Sequence, residues 1–267
     1  MPTPDTKSRR FLELHRPGQP LLLPNPWDQG VAKILASLGF QALATTSSGF
    51  AATLGRPDGS VTLDEALAHA RAIVAATDLP VSADLENCYA DDPDGVAHTV
   101  RLAAETGLAG CSIEDYSGSQ LYARAEAVDR VTAAATAARD GGLVLTARAE
   151  NYLHGNPDLG DTIARLQSYQ EAGADVLYAP GLTRIEDIRT LVSAVDLPVN
   201  VLALPGVPPV AELAAAGVSR ISVGGAFAFA ALGAMVDAAT ELRDQGTYGF
   251  QSGAGTGRAA TRTAFRK

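Results

Sequence analysis

Only two cysteines, Cys88 and Cys111, occur in 267 residues. That is too few for a disulfide framework and fits a chain kept in a reducing cytoplasm. No CxxC pair or Cys/His ligand spacing is present, which sets a thiolate zinc site aside. Basic residues are in deficit: 21 Lys and Arg face 30 Asp and Glu, for a net charge of −9. Neither nucleic acid nor an anionic membrane surface would be drawn to such a chain, so neither is expected as a partner. An anionic substrate would have to be captured locally, by a metal or an arginine. No apolar run free of polar breaks reaches the roughly 18 residues of a membrane span. Residues 1–10 are polar where a signal peptide would carry an apolar core. Aromatics are scarce as well, at 6%.

What is abundant is alanine, within a hydrophobic content of 46%. Small side chains let helices approach a sheet closely, and the length suits one large α/β domain. A unit of β-prone run, polar turn and Ala-rich helix recurs along the chain. Strands are expected at 21–24, 42–46, 81–84, 110–114, 143–148, 176–179, 199–202 and 220–223. Helices are expected at 30–38, 63–76, 95–106, 123–139, 161–172, 185–195, 209–216 and 226–245. Gly39, Gly107, Gly173 and Gly217 each follow a helical pattern and precede a strand, as left-handed C-caps do. Eight such units point to a (β/α)8 barrel, with its working face at the C-terminal ends of the strands. An open doubly wound sheet is the rival, but no GxGxxG follows the first strand. The barrel with a short N-terminal helix (3–15) accounts for residues 1–246. Residues 247–267, rich in Gly, Ser, Thr and Arg, read as a mobile tail unless a partner subunit covers them.

The strand ends carry the chemistry. Acids stand there in Asp84-Leu85-Glu86 and in Ile113-Glu114-Asp115. Strand alternation would point Asp84 and Glu86 to one side, into the barrel mouth. Inward carboxylates repel unless a cation intervenes, and Mg²⁺ (or Mn²⁺) suits hard oxygen ligands, keeping several waters. Asp84, Glu86 and Glu114 are therefore the candidate metal ligands. The competing role for all four acids, Asp115 included, is helix capping or pairing with Lys and Arg. Arg148 closes the fifth strand, where it could clamp a substrate carboxylate in bidentate fashion or simply pair with Glu114 or Glu150. Thr46, Ser47 and Ser48 follow the second strand, and could cradle a carboxylate at the start of a helix. Asp58 lies in Gly55-Arg56-Pro57-Asp58-Gly59, a turn near the same face that is catalytic or merely a turn former. Asn200, on the seventh strand, and His154, in a loop, could hydrogen-bond substrate. Ser222-Val223-Gly224-Gly225 is either a phosphate cup or a site of close helix packing.

Together these segments resemble the isocitrate lyase / phosphoenolpyruvate mutase family, from about Leu22 to Ala238. Pro24-Asn25-Pro26-Trp27-Asp28 resembles its opening strand, and Thr46-Ser47-Ser48 stands at its substrate-carboxylate loop. Leu54-Gly55 with Asp58 matches its Leu-Gly-x-x-Asp, and Asp84-Leu85-Glu86 its Asp-x-Asp metal motif. Ile113-Glu114-Asp115 is its Ile-Glu-Asp, and Arg148 its substrate arginine. The resemblance implies a role for Asp58 beside the substrate. One segment departs: the family's lyases carry a Cys- and His-bearing loop after Ile-Glu-Asp, where this chain reads Tyr116-Ser-Gly-Ser-Gln-Leu-Tyr-Ala-Arg124. That weighs against isocitrate or methylisocitrate cleavage by the cysteine route.

The resulting expectation is a Mg²⁺-dependent lyase acting on a small 2-oxo or 2-hydroxy carboxylic acid through an enolate. Asp58, Arg148 and Glu114 would be catalytic. Thr46, Ser47, Ser48, Arg148 and Asn200 would bind substrate. Hydrolysis of an oxaloacetate- or phosphonopyruvate-like substrate, phosphonomutation, and mere binding of a 2-oxo acid such as 2-oxoglutarate are the alternatives. A sugar-phosphate barrel using Gly224 and Gly225 is a further one. The family also implies a homotetramer that exchanges the helix at 226–245 between neighbours.

Overall fold

Parallel strands covered on both faces are largely buried, and all but the first strand of this chain are buried at every position or at all but the last. The computed structural model describes residues 4–266; Thr3, at the start of the expected first helix, lies outside them. The strands are β1 (Leu21–Leu23), β2 (Leu43–Ala44), β3 (Val81–Asp84), β4 (Gly110–Glu114), β5 (Val144–Arg148), β6 (Val176–Tyr178), β7 (Val199–Leu202) and β8 (Arg220–Ser222). All pair in parallel, each with its sequence neighbour from β2 to β8, and β8 pairs with β1. The remaining seam, between β1 and β2, is bridged by Ala44 N–H donating to Pro24 O at 3.1 Å. The sheet thus curls into a (β/α)8 barrel, as expected from the eight units.

Helices surround it: α1 (Pro4–Glu13), α2 (Gln29–Ser37), α3 (Ser47–Thr53), α4 (Leu63–Ala76), α5 (Pro93–Ala104), α6 (Arg124–Gly141), α7 (Leu159–Glu171), α8 (Ile185–Ser193), α9 (Val210–Ala215), α10 (Ala226–Gln245) and α11 (Gln251–Ala264). Local chemistry sets their ends. Asp28, Asp92 and Asp158 cap α2, α5 and α7, and Thr62 and Glu65 form a reciprocal capping box on α4. The four expected C-cap glycines take positive φ, for example 90° at Gly39 and 100° at Gly173. Alanine forms most of the inward face of α6 (Ala127, Ala134, Ala135, Ala137, Ala138). The close approach shows at Gly141, where an added methyl would stand 2.7 Å from the Ala104 side chain.

Phe11 of α1 is wholly buried against Leu21, Leu23, Ala42, Ala109, Val144 and Val176, so the N-terminal helix closes the bottom of the barrel. Two helices lie outside the expected set of ranges. Residues 47–53 form α3, with Thr46 as its N-cap, at the helix start that the Thr46–Ser48 cluster implied. Residues 251–264 form α11, although glycines at 253, 255 and 257 disfavour a helix. It lies against α2, and a methyl at Gly30 would stand 3.5 Å from the Phe265 ring. Among the described residues no helix is long and apolar enough to cross a membrane.

Candidate active site

The barrel mouth is organised around one arginine. Arg148 ends β5 with its side chain only 14% exposed and donates Nη1 to Asp84 Oδ1 at 2.9 Å. Its Nη2 lies 3.3 Å from Glu114 Oε2 and its Nε donates to Glu150 Oε1 at 2.8 Å. The register makes this possible, since Glu114 and Arg148 are paired last residues of β4 and β5. Three carboxyl groups thus share one guanidinium. Burial pushes the Glu114 carboxyl well up, with Arg148 opposing and Glu150 and Asp84 adding to the rise. Glu150 is raised for the same reason, while the surrounding acids hold Arg148 firmly charged against its burial. Tyr178 of β6 lies beneath Arg148, its ring centre 5.2 Å from the guanidinium carbon.

Two adjoining cavities open beside this cluster. The first, of about 260 Å³, is lined by Thr46, Ser47, Ser48, Asp58, Asp84, Arg148 and Asn200 among others. All but Glu86, Glu114 and His154 of the residues expected to act thus share it. The second, of about 430 Å³, holds those three together with Asp58, Arg148 and Tyr116. Asp84 receives Ser47 N–H at 3.4 Å and Ser112 Oγ at 3.5 Å besides Arg148. Thr46 accepts from Gly49 N–H and lies 3.3 Å from Ser48 Oγ. Asp58 sits on the loop before α4, braced by an Arg56–Glu65 ion pair of 2.6 Å.

Glu86 does not follow by strand alternation from Asp84, because β3 ends at Asp84 and the chain turns. Glu86, Cys88 and Tyr89 take positive φ (50°, 62° and 52°), a left-handed turn that carries Glu86 toward the second cavity. Its carboxyl accepts from Tyr89 Oη at 3.2 Å and is pushed up to about 7 by burial, then by Asp84 and Asp58. Asp115 points elsewhere altogether. It is 3% exposed, accepts from Arg165 Nη1 (3.0 Å), Tyr169 Oη (2.6 Å) and Glu150 N–H (2.8 Å), and so has the pairing role. His154 stacks on Tyr116 with ring centres 3.4 Å apart, placing both at the rim of the second cavity.

Gly224 and Gly225 pack closely. The Val223 and Gly224 N–H groups already donate to Asn25 Oδ1 (3.1 and 2.9 Å), and a methyl at Gly225 would stand 2.5 Å from Ser48 Oγ. Neither N–H group is left free to form a phosphate cup. Residues missed by the sequence reading are Arg220, Tyr178 and Ser112, all lining the first cavity. A charged residue opening the final strand was the available signal for Arg220.

The family model for phosphoenolpyruvate phosphomutase matches residues 11–243. The chain belongs to the phosphoenolpyruvate phosphomutase family. It is 31% identical over 209 residues to 2-methylisocitrate lyase of Escherichia coli K12, covering 70% of either chain. A solved structure of a provisionally assigned lyase/mutase from Burkholderia cenocepacia J2315 shares 51% identity, with TM-score 0.94 over 98% of this chain and 97% of that one. Oxaloacetate acetylhydrolase, solved with its product oxalate, is 26% identical with TM-score 0.83, covering 93% and 90%. The phosphoenolpyruvate phosphomutase family therefore includes both lyase and hydrolase relatives of this chain.

Proposed function

We propose that the protein is a Mg²⁺-dependent lyase that breaks a carbon–carbon bond beside the 2-oxygen of a small 2-oxo or 2-hydroxy carboxylic acid. The observation that carries this reading is the meeting of Asp84, Glu114 and Arg148, from three successive strand ends, beside a cavity shared with Thr46, Ser47, Ser48 and Asp58. The donor set fits a hydrated hard cation. Five carboxyls (Asp58, Asp84, Glu86, Glu114, Glu150) gather around Arg148 in the two cavities, and burial, then Asp84 and Asp58, push Glu86 up to about 7. Among the described residues no three acids, histidines or cysteines converge for direct ligation, so Mg²⁺ would be held by one or two carboxylates and several waters. Asp84, Glu86 and Glu114 would hold it, partly through water, with Mn²⁺ as a substitute. The ion supplies positive charge where the breaking bond leaves negative charge on oxygen.

The chain's own groups do the rest. Thr46 and Ser48 offer hydroxyls to a substrate carboxylate at one wall of the cavity, beside Ser47, whose N–H reaches Asp84. Arg148, gripped by three carboxylates, is a rigid cation beside the developing enolate. Fixed charge of this kind lowers the barrier because it acts more strongly on the transition state than on the ground state. Asp58 positions the leaving group, and the Tyr116–Arg124 segment with His154 covers the mouth and excludes water.

A hydrolase is the second reading. It is favoured by a 116–124 loop without Cys, His or Lys, leaving Asp58 free to orient a water. The relative that acts on oxaloacetate supports it. A panel of 2-oxo and 2-hydroxy diacids with Mg²⁺, read as release of pyruvate, glyoxylate, oxalate or CO₂, tests both. Turnover abolished by EDTA and restored by Mg²⁺ is expected. Full turnover in metal-free protein would end the proposal, whereas thermal stabilisation by 2-oxoglutarate without product from any acid would leave a binding protein.

The assembly is proposed as a homotetramer, with α10 passed between neighbours. Of its side chains only Ala228 is buried, while Phe227, Phe229, Leu232, Met235 and Val236 lie 40–55% exposed. A helix apolar on its outer side is built to be covered. Light scattering at micromolar concentration should report a tetramer, and a monomer there refutes it.

A further inference from the structure

Arg220, the first residue of β8, is 4% exposed and lies deeper in the barrel than Arg148, at the floor of the first cavity. Its Nε donates to Asn200 Oδ1 at 3.0 Å. Its Nη1 donates to Thr146 Oγ1 at 3.1 Å and to His15 Nε2 at 3.2 Å. His15 in turn donates Nδ1–H to Phe11 O at 2.8 Å, which leaves Nε2 as an acceptor. Burial and the neighbouring Arg220 push the His15 ring down to about 3, so it stays neutral. Every partner of Arg220 is thus uncharged. Among the described residues it has no ion pair, and its Nη2 makes no hydrogen bond.

The contrast with Arg148 decides what this means. Arg148 has three carboxyl partners, Asp84, Glu114 and Glu150, within 3.3 Å. Arg220 is a desolvated cation with no counter-ion, held down to about 10 by burial and by Arg148, and a buried charge of that kind is costly unless something pairs with it. Arg130 is also buried without an ion pair among the described residues, with Nε and Nη1 unpartnered, but it lines neither cavity: its Nη2 donates to the Asn87 and Ala90 carbonyls and the guanidinium lies over the Tyr122 ring.

We infer that Arg220 receives the second anionic group of the substrate, so that the site selects small 2-oxo or 2-hydroxy diacids over monoacids of the same length. Asn200, already bonded to Arg220 and to Ser222 Oγ (3.0 Å), is then a positioning residue that holds the guanidinium in place. This rests on the reading of the cavity as a 2-oxo acid site.

Calorimetric titration of the full Mg²⁺-loaded protein tests it with matched pairs: 2-oxoglutarate against 2-oxopentanoate, and oxaloacetate against 2-oxobutyrate. The wild type should bind the diacid of at least one pair about thirtyfold or more tightly. Arg220→Met should erase that preference while leaving the monoacid Kd unchanged. Equal wild-type affinity within both pairs overturns the inference. So does a preference that survives Arg220→Met, or an equal loss of both ligands in a folded variant, which would make Arg220 a structural brace. Should Arg220→Met not fold, a crystal structure of the wild type with the preferred diacid decides: the second carboxylate must lie on Arg220. No binding of any of the four acids is a different failure, that of the 2-oxo acid reading itself.

Discussion

Replacing Arg148 by methionine should abolish turnover and destabilise the fold by about 3–5 kcal/mol, the usual result of removing one partner from a buried charge cluster. Asp84, Glu114 and Glu150 would then face one another without a cation. The defect should shrink in acid. Glu114 and Glu150 have carboxyls raised in the folded state, chiefly by burial, and losing Arg148 raises them further. A raised carboxyl contributes stability that is present below its unfolded-state value and lost as pH climbs through the folded one. Urea denaturation across mildly acidic to neutral pH should therefore show the variant recovering toward the wild type as pH falls. Wild-type stability in the variant at neutral pH would mean that the cluster does not hold the site together.

Asp115→Ala is the second large effect expected, again about 3–5 kcal/mol. The carboxylate is 3% exposed, and its loss strips Arg165 of one of two acidic partners, Asp161 being the other. It also orphans the Tyr169 hydroxyl and the Glu150 N–H. Because Glu150 in turn grips Arg148, kcat should fall even at temperatures where the variant is folded. Tyr169→Phe, which removes a single hydrogen bond, should cost only ~1 kcal/mol. A melting temperature unmoved by Asp115→Ala would mean that its contacts with Arg165 and Tyr169 do not brace the site.

Asp115 shows where sequence reading stops. In Ile113-Glu114-Asp115 the two acids are adjacent, and alternation puts them on opposite sides of the strand. Which side faces the mouth depends on Arg165 and Tyr169, 50 and 54 residues away. Glu86 is a related case: the alternation argument needs β3 to continue, and the left-handed turn at Glu86, Cys88 and Tyr89 ends it. By contrast, Asp84, Glu114 and Arg148 were legible because each closes a β-prone run at the end where a parallel barrel exposes its loops. Helix α11 was illegible because its composition opposes a helix and its contact with α2 is made only in three dimensions.

Repetition, patterning and capping residues were sufficient to specify eight strand–helix units and the end of the barrel at which acids and an arginine would gather. Those signals act within a few residues, through alternation, amphipathic spacing and cap hydrogen bonds, and so survive in a linear reading. How the charges pair was decided only by closure of the ring. Closure gives Arg148 three counter-ions, turns Asp115 away, and buries Arg220 among Asn200, Thr146 and His15 with none. Charge compensation depends on distance through space, and the partners that settle it lie as far as 205 residues apart along the chain.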